Sequence, residues 1–221
     1  MCDINQMVER FLNEAVWRCR NEGGQEDDAV IGALDDRNQS TEVKRKEVLK
    51  WLRYYGVLRG LNAADREAVP SVIVEFADAR AAVVSQLCEV EIIEKFKDLH
   101  KRCSSKVHPR QNGEPRSLIS LTSKALWCCY PYAIPLFDAY AQRTLWVVSR
   151  LMDLDRPPDA QTPYEEYGRF VSVWLSLYRR ATIDDGRLDG YRYKVRVFDR
   201  ILWIIGQPDY GKLGGYAASA R

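Results

Sequence analysis

Apolar residues recur at three- and four-residue steps along most of this chain, and that spacing is what most constrains its fold. It places apolar side chains on one face of an α-helix, where they can pack against another element. The clearest stripe precedes two glycines that end the first predicted helix, and it consists of Ile4, Met7, Phe11, Ala15 and Cys19. Two weakly alternating segments, IVE and YRYKVRVF, lie inside longer helical patterns, so helix is preferred to sheet there. The sequence therefore predicts an all-α fold.

Helix-capping residues and prolines predict where the next helices begin. Ser40 and Thr41 open a helix that continues to Tyr55. Residues 62–99 predict two or three further helices, with Pro70 in a first turn. A long buried stripe is expected in this region, formed by Val83, Leu87, Val90, Ile93 and Phe96 or Leu99.

The most irregular segment is SSKVHPRQNGEPR, residues 104–116. We treat 1–221 as a single helical domain, in which a boundary between two subdomains would fall near this loop. A helix from about Arg116 to Cys129 follows, and Asp138 is placed to cap the next helix. The last two helices are predicted at about 164–181 and through Val195, Phe198, Leu202 and Ile205.

Composition and common motifs exclude several classes of function. The chain has 33 Lys and Arg against 31 Asp and Glu, so an anionic partner must be recognised by local basic patches. No apolar run is long enough to cross a membrane and the amino terminus lacks signal-peptide features, so we expect a cytoplasmic protein that does not bind membranes. The six cysteines form no C-x-x-C pair and are expected as free thiols, with no metal site. Nucleotide-binding glycine motifs and common hydrolase motifs are missing from the sequence, which predicts no cofactor.

One segment carries a more specific pattern, SLISLTSKALWCCYPYAIPLFDAYAQRTLWVV at 117–148. It places a lysine within one helix and an aspartate at the start of the next, joined by a proline-containing connection. The segment resembles the catalytic region of helix-hairpin-helix DNA glycosylases, especially the 8-oxoguanine glycosylase branch and small bacterial proteins of that fold. In that family a Thr-Lys on a helix precedes a Pro-x-Asp that opens the following helix. The matching residues here are Thr122, Ser123, Lys124, Pro135, Leu136, Phe137 and Asp138.

The resemblance implies a fold of two small helical subdomains around a cleft, with Lys124 as nucleophile and Asp138 as the conserved acid. The chain departs from the family in two places. The glycine-rich hairpin before the lysine is replaced by NGEPRSLISLTS, and the connection from lysine to aspartate is short. Since hairpin amides hold a DNA phosphate in the family, side chains such as Arg110, Arg116 and Ser117 would have to hold it here.

The chemistry of base excision suits this pair of residues. A carboxylate such as Asp138 can stabilise the oxocarbenium-like state that forms as the glycosidic bond breaks. A lysine such as Lys124, beside an apolar stripe that favours its neutral amine, can attack the sugar carbon and form a Schiff base. The structural alternative stays open for both, because such a lysine can snorkel along the stripe and such an aspartate can simply cap its helix.

A flipped base must be stacked on aromatic or apolar side chains, and several lie near the proposed pair. The candidates for this base pocket are Trp127, Tyr130, Tyr132 and Tyr140. Ordinary core packing is the alternative, preferred for Trp127, Phe137 and Trp146. Tyr130 and Tyr132 flank a proline in the connection, which makes them the better candidates.

Contacts to the DNA backbone are expected from two basic groups. The first opens the helix that begins near Thr41, with candidates Lys44, Arg45 and Lys46, and it continues through Lys50, Arg53 and Arg59. The second leads into the proposed catalytic helix, with candidates Lys106, Arg110, Arg116 and Ser117. A solvated helix face is the alternative for the first group. The acidic stretch at 26–36 should face away from DNA.

These features together predict a monomeric DNA glycosylase that cleaves the N-glycosidic bond of a flipped damaged or modified base. AP-lyase activity through Lys124 would accompany a covalent route. A bacterial defence enzyme acting on modified phage DNA fits the divergent segment. The alternative is a catalytically inert helical module that binds nucleic acid or protein.

Overall fold

The computed structural model of the chain describes residues 3–80, 87–154 and 159–208. Within these ranges the ordered elements are helices, with no β-strand, so the predicted all-α fold is confirmed. In chain order the α-helices are α1 (Ile4–Asn21), α2 (Gly24–Asp35), α3 (Thr41–Tyr54), α4 (Ala63–Asp78), α5 (Glu89–Ser104), α6 (Ile119–Cys129), α7 (Ala139–Leu151), α8 (Pro163–Tyr178) and α9 (Lys194–Gly206). A short 3-10 helix, Asp185–Arg187, lies between α8 and α9. None of the helices in the described ranges is long and apolar enough to cross a membrane.

The helices form two compact units. The inserted unit is Gly23–Ile134, and the discontinuous unit is made by the chain on either side of it. The loop at 104–116, where a subdomain boundary was expected, lies inside the inserted unit. The chain leaves the inserted unit between Ile134 and Pro135 instead, within the connection that follows α6.

Local side-chain caps explain where several helices begin. Ser40 Oγ accepts a hydrogen bond from the Val43 N–H at 3.4 Å, which confirms the predicted start of α3. Thr162 and Glu165 form a reciprocal capping box at the start of α8. The turn from α1 to α2 needs a glycine, because Gly23 has φ 140° and an added Cβ would lie 2.8 Å from the Tyr55 hydroxyl oxygen.

The buried face of α5 differs from the predicted stripe. Its buried residues are Ile92, Phe96, Leu99, His100 and Cys103. Of the predicted residues, Val90 is exposed, Ile93 is half-buried and Leu87 precedes the helix, while Val83 lies outside the described residues. Phe96 and Leu99 were predicted correctly, but the stripe enters the core through Ile92, one residue earlier than Ile93. Side chains at 92, 96, 99 and 103 share one face at helical spacing, whereas Val90 points away from it.

Pro70 lies in the middle of α4, and the prediction of a first-turn proline is wrong. The helix begins earlier because Asn62 caps it, its Oδ1 accepting from the Asp65 N–H at 2.7 Å. Proline has no N–H to donate within the helix, so it removes one helical hydrogen bond. Packing of the helix against its neighbours must offset this loss. Pro70 is itself buried, with Val69 and Ile73 beside it in the core.

The core of the discontinuous unit lies between α9 and its neighbours α1, α7 and α8. Trp174 and Phe198 meet edge to face with ring centroids 5.2 Å apart. The buried Asp199 accepts hydrogen bonds from Trp174 Nε1 at 2.8 Å and from the Leu136 N–H at 3.0 Å. The Tyr167 hydroxyl donates to the Pro135 carbonyl at 3.1 Å. These bonds fix the chain immediately before Asp138 and α7.

Candidate functional site

Lys124 lies in the interior of the inserted unit. It is the sixth residue of α6, a helix whose residues from Ile119 to Cys129 are all buried except the half-buried Ser120. The lysine is 6% exposed, and its Nζ donates to Ser120 Oγ at 2.7 Å, one helical turn earlier. The prediction of a lysine on a helix beside apolar residues is therefore confirmed, and its amine is held away from bulk water.

Asp138 lies at the N-terminus of α7, where the sequence predicted a capping residue. Its Oδ1 accepts from the Tyr140 N–H at 2.9 Å, and its backbone is extended, with φ −143° and ψ 144°. The side chain is half-buried. A carboxylate at this end of a helix is stabilised by the helix dipole, which favours a fixed negative charge here. Asp138 belongs to the discontinuous unit and Lys124 to the inserted unit.

Two of the predicted base-pocket residues are core residues. Trp127 has no exposed surface and stacks on Trp51, with ring centroids 5.8 Å apart and an interplanar angle of 14°. Tyr130 is buried, and its ring faces two cations, with Lys95 Nζ at 5.0 Å and the Arg80 guanidinium carbon at 6.0 Å. A base could stack on neither ring as they stand. The core packing preferred for Trp127 is confirmed, and the assignment of Tyr130 to a base pocket is corrected to core packing.

The other two predicted pocket residues have accessible surface. Tyr132 follows Pro131 after α6 and is 38% exposed in the inserted unit. Tyr140 is half-buried in the discontinuous unit, where its ring meets the edge of Trp203 at 6.1 Å and the Arg143 guanidinium at 5.7 Å. Tyr132 is therefore the predicted aromatic residue best exposed for stacking.

Lys44 is not available to a DNA backbone. It is 4% exposed, and its Nζ lies 2.6 Å from Asp78 Oδ1 on α4. In the sequence Lys44 is one residue of a basic run, but its ion-pair partner comes from another helix. In the same run, Arg45 is half-buried and lies 3.5 Å from Glu42, whereas Lys46 is exposed.

The second predicted basic group lies along the surface of the inserted unit. Lys106, Arg110 and Ser117 are exposed, while Arg116 is half-buried. Arg116 Nε donates to the His108 carbonyl at 3.2 Å, so this arginine also holds its own loop in place. Arg110 Nη1 lies 3.8 Å from Glu114, a distance at which the exposed pair contributes little.

Several charged residues that the sequence did not single out are placed by tertiary contacts. The buried Asp27 accepts from Trp51 Nε1 at 2.8 Å and from the Tyr55 hydroxyl at 2.9 Å. A cavity of about 150 Å³ between α3 and α4 is lined by Arg53, Gly56, Leu58, Arg59 and Arg66. Arg53 and Arg59 belong to the first basic run, but only the fold brings Arg66 beside them.

The cysteines of the described residues are thiols in different environments. Cys88 is exposed, and Cys19, Cys103, Cys128 and Cys129 are buried. Burial raises the pKa of the Cys103 thiol to about 12, and that of Cys129 to about 12 as well. Over the ranges that the structure describes, no group of three or more His, Cys, Asp or Glu side chains could hold a metal ion.

The candidate segment thus consists of a buried lysine on α6, a structured connection and a capping aspartate on α7. Within the inserted unit, Tyr132 and several basic side chains are exposed. Comparison with protein-family models, curated proteins and solved structures finds no match for this chain.

Proposed function

We propose that this protein is a DNA glycosylase that excises a damaged or modified base. The observation that carries the proposal is the arrangement of one segment, in which a helix bearing Lys124 leads through Pro135 to a helix capped by Asp138. This is the arrangement that the resemblance to helix-hairpin-helix glycosylases requires locally. The proposed enzyme acts on DNA as a cytoplasmic monomer and needs no cofactor.

Asp138 is the catalytic group in this proposal. As the bond between C1′ and the base nitrogen breaks, its electron pair leaves with the base and positive charge develops on the sugar. A carboxylate held at the N-terminus of α7 can stabilise that positive charge without having to move. Such preorganisation is the main source of electrostatic catalysis. Water then adds a hydroxyl group to C1′, and its proton balances the charge of the departing base.

The surroundings of Lys124 favour this hydrolytic route over direct attack by its amine. At 6% exposure, and with Nζ donating to Ser120 Oγ, the lysine has little surface from which to reach a sugar carbon. A Schiff base and AP-lyase activity would require the amine to leave this position. We therefore propose Lys124 as a supporting residue of α6, with lyase chemistry as a separate outcome to test.

The burial of Lys124 also favours the second candidate function, an inert helical module that binds nucleic acid or protein. In that case Lys124 belongs to the interior of its unit and Asp138 only caps α7. The module would bind DNA through the exposed basic residues without releasing a base. The two candidate functions differ in one measurable product, because only the glycosylase releases a free base.

The test is base release from duplex DNAs that contain oxidised guanine, uracil, alkylated bases or hydroxymethylated or glucosylated cytosine, with mass spectrometry of the free bases. The last two substrates represent modified phage DNA. We expect one class of base to be released by the wild-type protein. Release of none of them, with DNA still bound, would favour the inert module.

The variant Asp138→Asn separates charge from capping. Asparagine caps helices about as well as aspartate, so α7 should persist while the carboxylate charge is lost. We expect base release to fall by roughly 100-fold or more, the size of effect seen when one electrostatic group is removed. Asp3→Asn is the matched control, because Asp3 Oδ1 accepts from the Asn5 N–H at the same 2.9 Å at the start of α1. Equal losses in both variants would assign Asp138 to capping alone.

Borohydride trapping tests the covalent route. The proposed hydrolytic mechanism predicts that no protein–DNA adduct accumulates when the reaction is reduced. Trapping that disappears in Lys124→Gln would instead establish the lysine as a Schiff-base nucleophile. Lys44→Gln, at the other buried lysine described above, controls for the loss of a buried amine.

A further inference from the structure

Three arginine side chains line one open cavity at the connection between α3 and α4. The cavity measures about 150 Å³ and is lined by Arg53, Gly56, Leu58, Arg59 and Arg66. All three arginines are exposed, and Leu58 is buried and supplies the apolar part of the lining. The cavity lies wholly within the inserted unit.

The backbone of this connection is shaped to hold the arginines together. Gly56 has φ 66°, and an added Cβ would lie 3.0 Å from Arg59 Nε and 3.2 Å from Arg59 Cζ. Glycine at this position therefore allows the guanidinium of Arg59 to lie against the turn. Arg66 Nε donates to the Leu61 carbonyl at 2.8 Å, which fixes the third guanidinium from the α4 side.

The charge of this cluster is not compensated in the described part of the chain. No carboxylate there forms an ion pair with Arg53, Arg59 or Arg66, whereas Arg102 is paired with Asp98. Like charges around one cavity repel each other, and the repulsion is relieved when an anion lies between them. Guanidinium groups are suited to phosphate because their planar N–H donors can bind two of its oxygens at once.

Further cations extend from the cavity along α3. Lys46, Lys50 and Arg53 are exposed and follow each other at steps of four and three residues, so they share one face over roughly 10 Å. Arg116 Nη1 lies near the end of the same connection, 3.6 Å from where a Cβ of Gly60 would be. The cavity could hold one phosphate, but these further cations match a chain of phosphates better than a single ion.

We propose that Arg53, Arg59 and Arg66 form a binding site for a backbone phosphate of DNA, with Lys46 and Lys50 along the same strand. The choice of DNA as the ligand rests on the proposed function, to which this site adds the residues that bind the backbone. It also offers a phosphate anchor in addition to Arg110, Arg116 and Ser117, which the sequence predicts in place of the glycine-rich hairpin. Because backbone contacts carry no sequence information, the site should bind any duplex.

The test is the salt dependence of binding to a fluorescein-labelled duplex of about 20 base pairs without a damaged base, measured by anisotropy between about 50 and 200 mM NaCl. In the triple variant Arg53→Ala, Arg59→Ala and Arg66→Ala, the slope of log K against log salt should become less steep by about 1, since one phosphate contact is lost and each contributes about 0.9. Affinity at the midpoint of this range should fall at least about tenfold. The corresponding triple lysine variant keeps the charge and should retain most of the slope.

Arg102→Ala is the matched control, because it removes one exposed arginine of the same unit whose charge is already balanced by Asp98. It should leave the slope unchanged. An unchanged slope in the triple alanine variant, with the helical circular dichroism of the wild type, would overturn the proposal. Calorimetric binding of inorganic phosphate that is lost in the triple variant while DNA binding is kept would also overturn it, since the site would then take free phosphate.

This outcome is separable from that of base excision. A reduced slope in a protein that releases no base from any duplex would support the phosphate site and reject the glycosylase. Base release with an unchanged slope would reject the phosphate site and support the glycosylase.

Discussion

His108 and Asp65 form a hydrogen bond between an imidazole at the surface and a carboxylate in the core, with His108 Nδ1 2.6 Å from Asp65 Oδ1. The His108 side chain is 68% exposed, whereas that of Asp65 has no exposed surface. The His108 backbone N–H reaches the same oxygen at 3.2 Å. The pair thereby fastens the loop after α5 to the first turn of α4.

This contact predicts a specific loss of stability in acid. Burial raises the pKa of the Asp65 carboxyl, but hydrogen bonds from the side chain and backbone of His108, its charge and a hydrogen bond from Asn62 outweigh it and lower the pKa below 3.8. A carboxyl whose pKa is lower in the folded state stabilises the fold above its unfolded pKa and loses that contribution as pH falls through the folded value. The stability advantage of the wild type over Asp65→Asn should therefore shrink below about pH 4. Urea unfolding at neutral and acidic pH measures it, and a constant difference would contradict the assignment.

His108→Ala tests the same contact from the exposed side. Removing the donor leaves a buried carboxylate less well satisfied, and we expect a loss of about 1 kcal/mol at neutral pH. Because the imidazole is mostly in water, the expected loss lies below the usual range for hydrogen bonds to charged groups. The loss should be smaller in the Asp65→Asn background, and purely additive effects in the double variant would argue against the pairing.

Replacing each of two helical glycines by alanine should change the stability of the protein in opposite directions. At Gly206, the last residue of α9, an added Cβ would lie 2.0 Å from the Tyr140 carbonyl oxygen and 2.6 Å from its carbon. These are backbone atoms that cannot turn aside, so Gly206→Ala should destabilise the protein by about 3 kcal/mol. Gly32 in α2 has no atom within 4 Å of its added Cβ, and Gly32→Ala should stabilise by about 0.5 to 1 kcal/mol through helix propensity. Thermal unfolding of both variants makes the comparison, and a destabilised Gly32→Ala would count against the placement of α2.

Asp27 should be one of the most sensitive polar positions. Its replacement by alanine leaves the Trp51 indole N–H and the Tyr55 hydroxyl without this acceptor, at a cost of about 3 kcal/mol. Gln25 is exposed on the same helix, and Gln25→Ala should change stability by less than about 0.5 kcal/mol. Similar unfolding midpoints for the two variants would show that the buried acceptor contributes little.

The thiols should differ in reactivity by location. Cys88 is exposed and should be alkylated readily at mildly alkaline pH. Cys103 and Cys129 are buried with pKa values of about 12, so in the folded protein they are both inaccessible and protonated. Iodoacetamide labelling followed by peptide mass mapping should find them modified only under unfolding conditions. Labelling of Cys103 as fast as Cys88 would contradict its position on the buried face of α5.

The sequence predicted best the features that depend on contacts between residues a few positions apart in the chain. The caps at Ser40 and Asp138 depend on a side chain and a backbone N–H two or three residues away, and both are as expected. The burial of Lys44 was missed because its partner, Asp78, comes from α4, and no local pattern connects them. Core packing was preferred for Trp127 from the sequence, but only the fold shows that Trp51 is the ring that covers its face.

The order of helices along the chain constrains how the protein can fold during synthesis. α1 is synthesised before the inserted unit, yet it packs on α9, which is synthesised after it. The apolar face of α1, with Leu12 and Ala15, therefore lacks its partner α9 while residues up to Ile134 are translated. The inserted unit is continuous and can bury its core in that interval. A nascent chain halted after Ile134 would thus carry one finished core and one amphipathic helix open to a chaperone.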